Sequence, residues 1–91
     1  MALNFHQLHI FFTVADRGSF SMAAHSLHMT QPAVTMQVRA LEEYFGTKLF
    51  NRSTKKVELT EAGKALYPYA KRSIELMRET DVEMSRFTHK L

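Results

Sequence analysis

The stretch from Thr30 to Phe45, TQPAVTMQVRALEEYF, constrains this chain most. Thr30 is a helix-capping residue type whose hydroxyl can accept from the free N–H groups of the next turn. Pro32 falls in the first turn, where its missing N–H costs nothing. Gly46 suits the left-handed residue that ends a helix. Between these signals Val34, Val38, Leu41 and Phe45 recur at i, i+4, i+7 and i+11, one apolar stripe. The other face carries Gln31, Thr35, Met36 and Arg39, with one charge in the first ten residues. A solvated face would carry Glu and Lys. Donors, acceptors, a thioether and a single cation suit contact with a partner, and base edges in a DNA groove fit that chemistry.

Ninety-one residues make one small domain with an appended element. Lys plus Arg exceed Asp plus Glu by 12 to 9, for a formal charge of +3. This mild excess permits nucleic acid without demonstrating it. Residues 1–60 hold six cations and four anions, so the surplus leans towards the first part. The absence of Cys excludes disulfides and thiolate metal sites. No apolar run approaches the roughly 20 residues a membrane span needs. Asn4, His6, Gln7 and His9 interrupt any signal-like start. A soluble, cytoplasmic protein without membrane association is the expectation.

In chain order, Asn4 caps a first helix to about Arg17, with Leu8, Phe11, Phe12 and Ala15 on its buried face. Gly18 ends it, and Ser19 caps a short second helix carrying Phe20, Ala23, Ala24 and Leu27 at the same spacing. His28 and Met29 make a tight connection before Thr30. Two helices joined so closely fit a helix-turn-helix, whose second member reads the major groove. After Gly46 the period changes. Lys48–Arg52 and Lys56–Leu59 read as short strands around the polar tip Ser53, Thr54 and Lys55, a small wing.

Thr60 and Glu61 restart a helix that can run nearly to the C-terminus. At about 1.5 Å per residue, some 28 residues span roughly 42 Å, too long to fold back on so small a head. Leu66, Ala70, Ser73, Met77, Thr80, Met84, Phe87 and Leu91 form a heptad-like seam with Ile74 and Leu76 beside it. Pro68 should bend the helix. The expected dimerisation residues are Leu66, Ala70, Ile74, Met77, Met84 and Phe87. The expected fold is mainly α: a winged helix-turn-helix over residues 1–60, with three helices and a two-stranded wing, then a long linker helix over 61–91.

The run GSFSMAAHSLHMTQPAVTMQVRALEEYFGTKLFNRSTKKVELTEAGKAL resembles the N-terminal DNA-binding domain of LysR-type transcriptional regulators. The resemblance rests on Gly18-Ser19-Phe20, Ala23-Ala24, Leu27, Gln31-Pro32-Ala33, Leu41-Glu42, Gly46, Leu49-Phe50, Arg52, Leu59-Thr60 and Ala62-Gly63. It implies a third helix in the major groove, a wing on the flanking minor groove or backbone, and a linker helix that forms a homodimer. It also implies that Thr30, Gln31, Pro32, Thr35 and Arg52 contact DNA. Met36 departs from the family, which often has Arg or Lys there. A cationic contact is lost and an apolar one, for example to a thymine methyl, becomes possible. Family members normally continue into an inducer-sensing domain, and the expectation is that this domain is absent here.

On chemistry alone, Gln31 can bond adenine bidentately, and Thr35 can reach a base or phosphate. Met36 could read a base or fill a packing gap. Arg39 could hold a phosphate or pair with Glu42 or Glu43. Arg52, Ser53, Lys55 and Lys56 belong to the wing, where the lysines would add salt-sensitive, sequence-independent attraction or simply be solvated. Ser19 and Thr30 can cap their helices and still present N–H groups to phosphate. The pairs His6/His9 and His25/His28 lack Cys or carboxylate company and read as surface residues rather than metal ligands. No glycine-rich phosphate loop or nucleophile–base–orienter set is legible, so neither enzyme nor cofactor is expected. The leading reading is sequence-specific duplex DNA binding by a dimer on a partly palindromic promoter site, controlling transcription. A helical protein-interaction module is the alternative, and an enzyme fragment the remote one.

Overall fold

Four side-chain oxygens, each accepting a backbone N–H, start the four helices. Asn4 Oδ1 accepts from the Gln7 N–H at 2.8 Å, opening α1 (Phe5–Arg17). Ser19 Oγ accepts from Met22 at 3.1 Å, opening α2 (Phe20–Leu27). Thr30 Oγ1 accepts from Ala33 at 3.2 Å, opening α3 (Gln31–Phe45). Thr60 Oγ1 accepts from Gly63 at 3.1 Å, opening α4 (Glu61–Thr88). Each cap satisfies an N–H that the helix itself leaves free. Between α3 and α4 lie β1 (Phe50–Asn51) and β2 (Glu58–Leu59), antiparallel with Phe50 opposite Leu59 and Asn51 opposite Glu58. The computed structural model describes residues 3–52 and 56–88.

The helix ends follow the same economy. Gly18 and Gly46 take left-handed φ values of 67° and 72°. After α3, the Gly46 and Thr47 N–H groups both bond the Glu42 carbonyl, at 2.8 and 3.1 Å. His28 does the same work after α2 without being glycine, at φ 56°. Its N–H and that of Met29 return to the last turn of α2, and histidine is among the residues that tolerate this region best.

The helix α1 is the centre of the molecule, packing on α2, α3 and α4. It therefore buries a wider face than the spacing predicts. Ile10, Phe11 and Val14 are fully enclosed, while Leu8, Phe12 and Ala15 sit at the margin. Thr13 is buried too, its hydroxyl donating to the His9 carbonyl at 2.8 Å. Ala23 and Ala24 of α2, Val34, Val38 and Leu41 of α3, and Leu49 and Phe50 complete the core. Each large member contributes about 1.5–3 kcal/mol by leaving water. The Phe50 ring lies 5.3 Å from Phe11 and 5.5 Å from Phe20, so the wing is seated in the core by its first residue.

Three expectations are corrected. Phe45 is not core: it is 39% exposed on the last turn of α3, its ring against Tyr44. The strands are two residues each, shorter than expected, because pairing is confined to the wing's base. The first half of α4 does fold back on the head. Tyr67 stacks on Phe12 at 5.3 Å, and Ala70 and Ile74 are buried. Burial pushes the half-buried His9 imidazole on the facing helix below its ordinary value, with His6 and Arg78 adding to the effect. Pro68 lies inside α4 without ending it.

Candidate nucleic-acid interface

What mounts α3 is the apolar stripe beneath it. Val34, Val38 and Leu41 are fully buried, which fixes the roll of the helix and turns its other side outward. Gln7 of α1 adds a polar tether, its amide donating to Gln37 at 3.1 Å. On the outward side Gln31, Pro32 and Arg39 are exposed and Thr35 is half-buried at the edge of the face. Met36 is 68% exposed. Its thioether therefore fills no packing gap. Arg39 has no ion pair with Glu42 or Glu43 among the described residues, so its cation is available.

The capping oxygens of Ser19 and Thr30 are occupied by Met22 and Ala33, yet each helix start keeps unpaired N–H groups. Such groups, with the positive end of the helix dipole, favour a phosphate. Lys56 is exposed beside β2. Ser53 and Lys55, also expected to contact DNA, lie outside the described residues.

Arg52, which the resemblance implies contacts DNA, is also held by groups of its own protomer. Its guanidinium sits 3.6 Å from Glu42 Oε1 and 4.9 Å from the Phe20 ring centroid. Glu42 is 4% exposed, a carboxylate buried on the core face of α3. Its Oε2 accepts from the Leu49 N–H at 2.8 Å and the Phe50 N–H at 3.4 Å. Sequence reasoning named Glu42 as a pairing option for Arg39 and as part of the Leu41-Glu42 motif, but gave it no buried role. The missed signal is spacing: with Val34, Val38 and Leu41, position 42 completes an i, i+4, i+7, i+8 buried face.

The α4 residues expected to form a dimer seam divide. Ala70 and Ile74 are buried against the head, and Leu66 packs on the core, so these three serve the protomer itself. Met77, Met84 and Phe87 are exposed by 49%, 50% and 64%. Tyr69 and Leu76, also exposed, share their side of the helix and were not in the expected set. Steps of four and three through Tyr69, Ser73, Leu76 and Thr80 could have pointed to them. Among the described residues no three His, Asp or Glu side chains gather as a metal site, and no helix is long and apolar enough to cross a membrane.

Known proteins share this arrangement. Residues 5–64 match the family model described as bacterial regulatory helix-turn-helix protein, lysR family. The HTH-type transcriptional regulator TfdS of Cupriavidus pinatubonensis is 45% identical over 84 residues, 92% of this chain and 28% of that protein. An HTH-type regulator from the ibpB-leuC intergenic region of Azotobacter vinelandii is 47% identical over 73 residues, 80% of this chain and 51% of that protein. The chain thus spans about a quarter to a half of the length of these curated relatives. Among solved structures, the BenM DNA-binding domain in complex with catB site 1 DNA superposes with a TM-score of 0.90 at 27% identity, covering 98% of this chain and all of that one. The CbnR DNA-binding domain–DNA complex gives 0.82 at 39% identity, covering 97% and 100%. The relatives are named as transcriptional regulators, not as enzymes. A capped α2–turn–α3 unit with an outward polar face, a two-stranded wing and a family match over two-thirds of the sequence lead to one conclusion: this chain is a winged helix-turn-helix DNA-binding domain of the LysR family of bacterial regulators.

Proposed function

We propose that the chain binds duplex DNA sequence-specifically as a homodimer on a partly palindromic promoter site and thereby controls transcription in the cytoplasm. The observation that carries this reading is the exposed, nearly uncharged polar face at the start of α3, held outward by Val34, Val38 and Leu41. Gln31, Thr35 and Met36 read base edges in the major groove, Pro32 packs beside them, and Arg39 holds a phosphate. The starts of α2 and α3, at Ser19 and Thr30, grip backbone phosphate. Arg52 and Lys56, with Ser53 and Lys55, bring the wing to the flanking backbone or minor groove. Residues 1–60 form the DNA-binding part and 61–91 the linker. The exposed α4 strip of Tyr69, Leu76, Met77, Met84 and Phe87 meets its counterpart in a second copy, burying apolar surface that a lone protomer leaves in water.

The test is a fluorescence anisotropy titration with duplexes selected from a random pool. Selection should return one motif with two related halves. Affinity for it should fall linearly in logarithmic terms as salt rises, with a slope near −0.9 per phosphate contact. Absence of enrichment, or salt-insensitive binding, refutes the reading and favours a protein partner for the α3 face.

A further inference from the structure

One buried charge is not explained by DNA contact. Glu42 lies on the recognition helix, faces inward, and is 4% exposed. A carboxylate there is costly unless paired and hydrogen-bonded. One oxygen is well satisfied: Oε2 takes the Leu49 and Phe50 N–H groups at the entry to β1. The other, Oε1, is buried and makes no hydrogen bond; what faces it is the Arg52 guanidinium at 3.6 Å, just beyond bonding distance. Arg52 is in turn laid over the Phe20 ring, directly after Ser19 at the start of α2. A single carboxylate therefore touches α3, the start of the wing and, through Arg52, the α2 start.

A structural role alone would be fulfilled by Oε2 on the two N–H groups, for which a neutral glutamine oxygen would serve. The unsatisfied Oε1 aimed at a cation that is still 30% exposed needs another account. We infer that Glu42 is a positioning residue for DNA binding: it and the Phe20 ring hold the Arg52 guanidinium in a fixed pose in the free protein, so that its remaining donors meet a backbone phosphate without an ordering cost on binding. The inference rests on the DNA-binding reading above and adds a residue that itself never touches DNA.

Glu42→Gln tests it. Gln keeps an acceptor for Leu49 and turns an amide NH2 towards Arg52, which releases the guanidinium. Affinity for the selected duplex should fall about two- to tenfold, the cost of ordering one rotamer-rich side chain. The salt slope should stay that of the parent, because the contact is still made at a higher ordering cost, whereas Arg52→Gln should flatten it by about one phosphate contact, roughly 0.9, and the double variant should lose no more than Arg52→Gln alone. A steeper slope in Glu42→Gln means that Glu42 merely cancels the Arg52 charge, and overturns the inference. So does a loss of two or more contacts, which means that the wing has melted and taken Lys56 with it, and so does unchanged binding. A readout independent of the variant's folding is NMR of the arginine side chains in the unmodified free chain. The Arg52 guanidinium should be rigid where that of the exposed Arg78 is mobile; equal mobility also overturns the inference. If the unmodified chain shows no salt-dependent DNA binding at all, the DNA reading itself fails, a result separable from each of these.

Discussion

Gly63→Ala should destabilise the fold although alanine is the better helix former. Gly63 lies in the first turn of α4 and is buried. A Cβ built there would run into the Leu49 carbonyl oxygen and would also stand 2.8 Å from Leu59 Cδ2. The first obstacle is backbone and cannot rotate aside. That carbonyl accepts from the Thr60 N–H at 3.0 Å, and Thr60 Oγ1 donates to the neighbouring Lys48 carbonyl at 2.7 Å. Moving α4 away to admit a methyl breaks both bonds, at about 1 kcal/mol each. Overpacking costs a further 1–3 kcal/mol, roughly. Helix propensity returns about 1 kcal/mol. The net is a loss of about 2–4 kcal/mol, and at roughly 4–8 °C per kcal/mol the melting temperature should drop by about 10–30 °C. Urea unfolding followed by far-UV circular dichroism measures it. A variant as stable as the parent, or more stable, would show that the approach of α4 to Leu49 is not as close as described.

Gln31→Ala should leave the fold intact, since the side chain is exposed, and relax preference at one base position by about 1–3 kcal/mol; an unchanged selection profile removes Gln31 as a reader. Met77→Glu places a charge in the exposed strip and should give monomers in sedimentation equilibrium, whereas a persisting dimer would locate the interface elsewhere. His9 has its folded-state pKa lowered, by burial first and then by His6 and Arg78, so the unfolded chain binds the proton more readily. Stability from this group is fully present above the ordinary value of 6.5 and declines as pH falls below it. The unfolding midpoint of His9→Gln should therefore fall less than that of the parent between pH 7 and 5, and parallel curves would refute the assignment.

The bounds of α3 were legible because capping is local: Thr30, Pro32 and Gly46 act within one turn of themselves. The roll of α3 was legible too, since Val34, Val38 and Leu41 admit one buried side. Phe45 was misread because periodicity does not say where the neighbouring elements end. Glu42 was missed for a related reason: its partners are the Leu49 and Phe50 backbone amides, which no side-chain pattern announces. On α4, two apolar faces overlap, one meeting α1 and one left open. Spacing alone merges them, and only the position of α1 assigns Ala70 and Ile74 to the first and Met77, Met84 and Phe87 to the second.

The far end of α4 has a thermodynamic corollary. A free peptide as short as residues 77–88 would be mostly coil in water, because starting a helix is the unfavourable step. Here that step is already taken upstream by turns clamped to Phe12 and the core. The distal turns need only extend an existing rod, so they unravel from the tip inward rather than all at once. Their amide protons should accordingly exchange in a graded series towards Thr88, a built-in ruler of how much of the arm is covered at any moment.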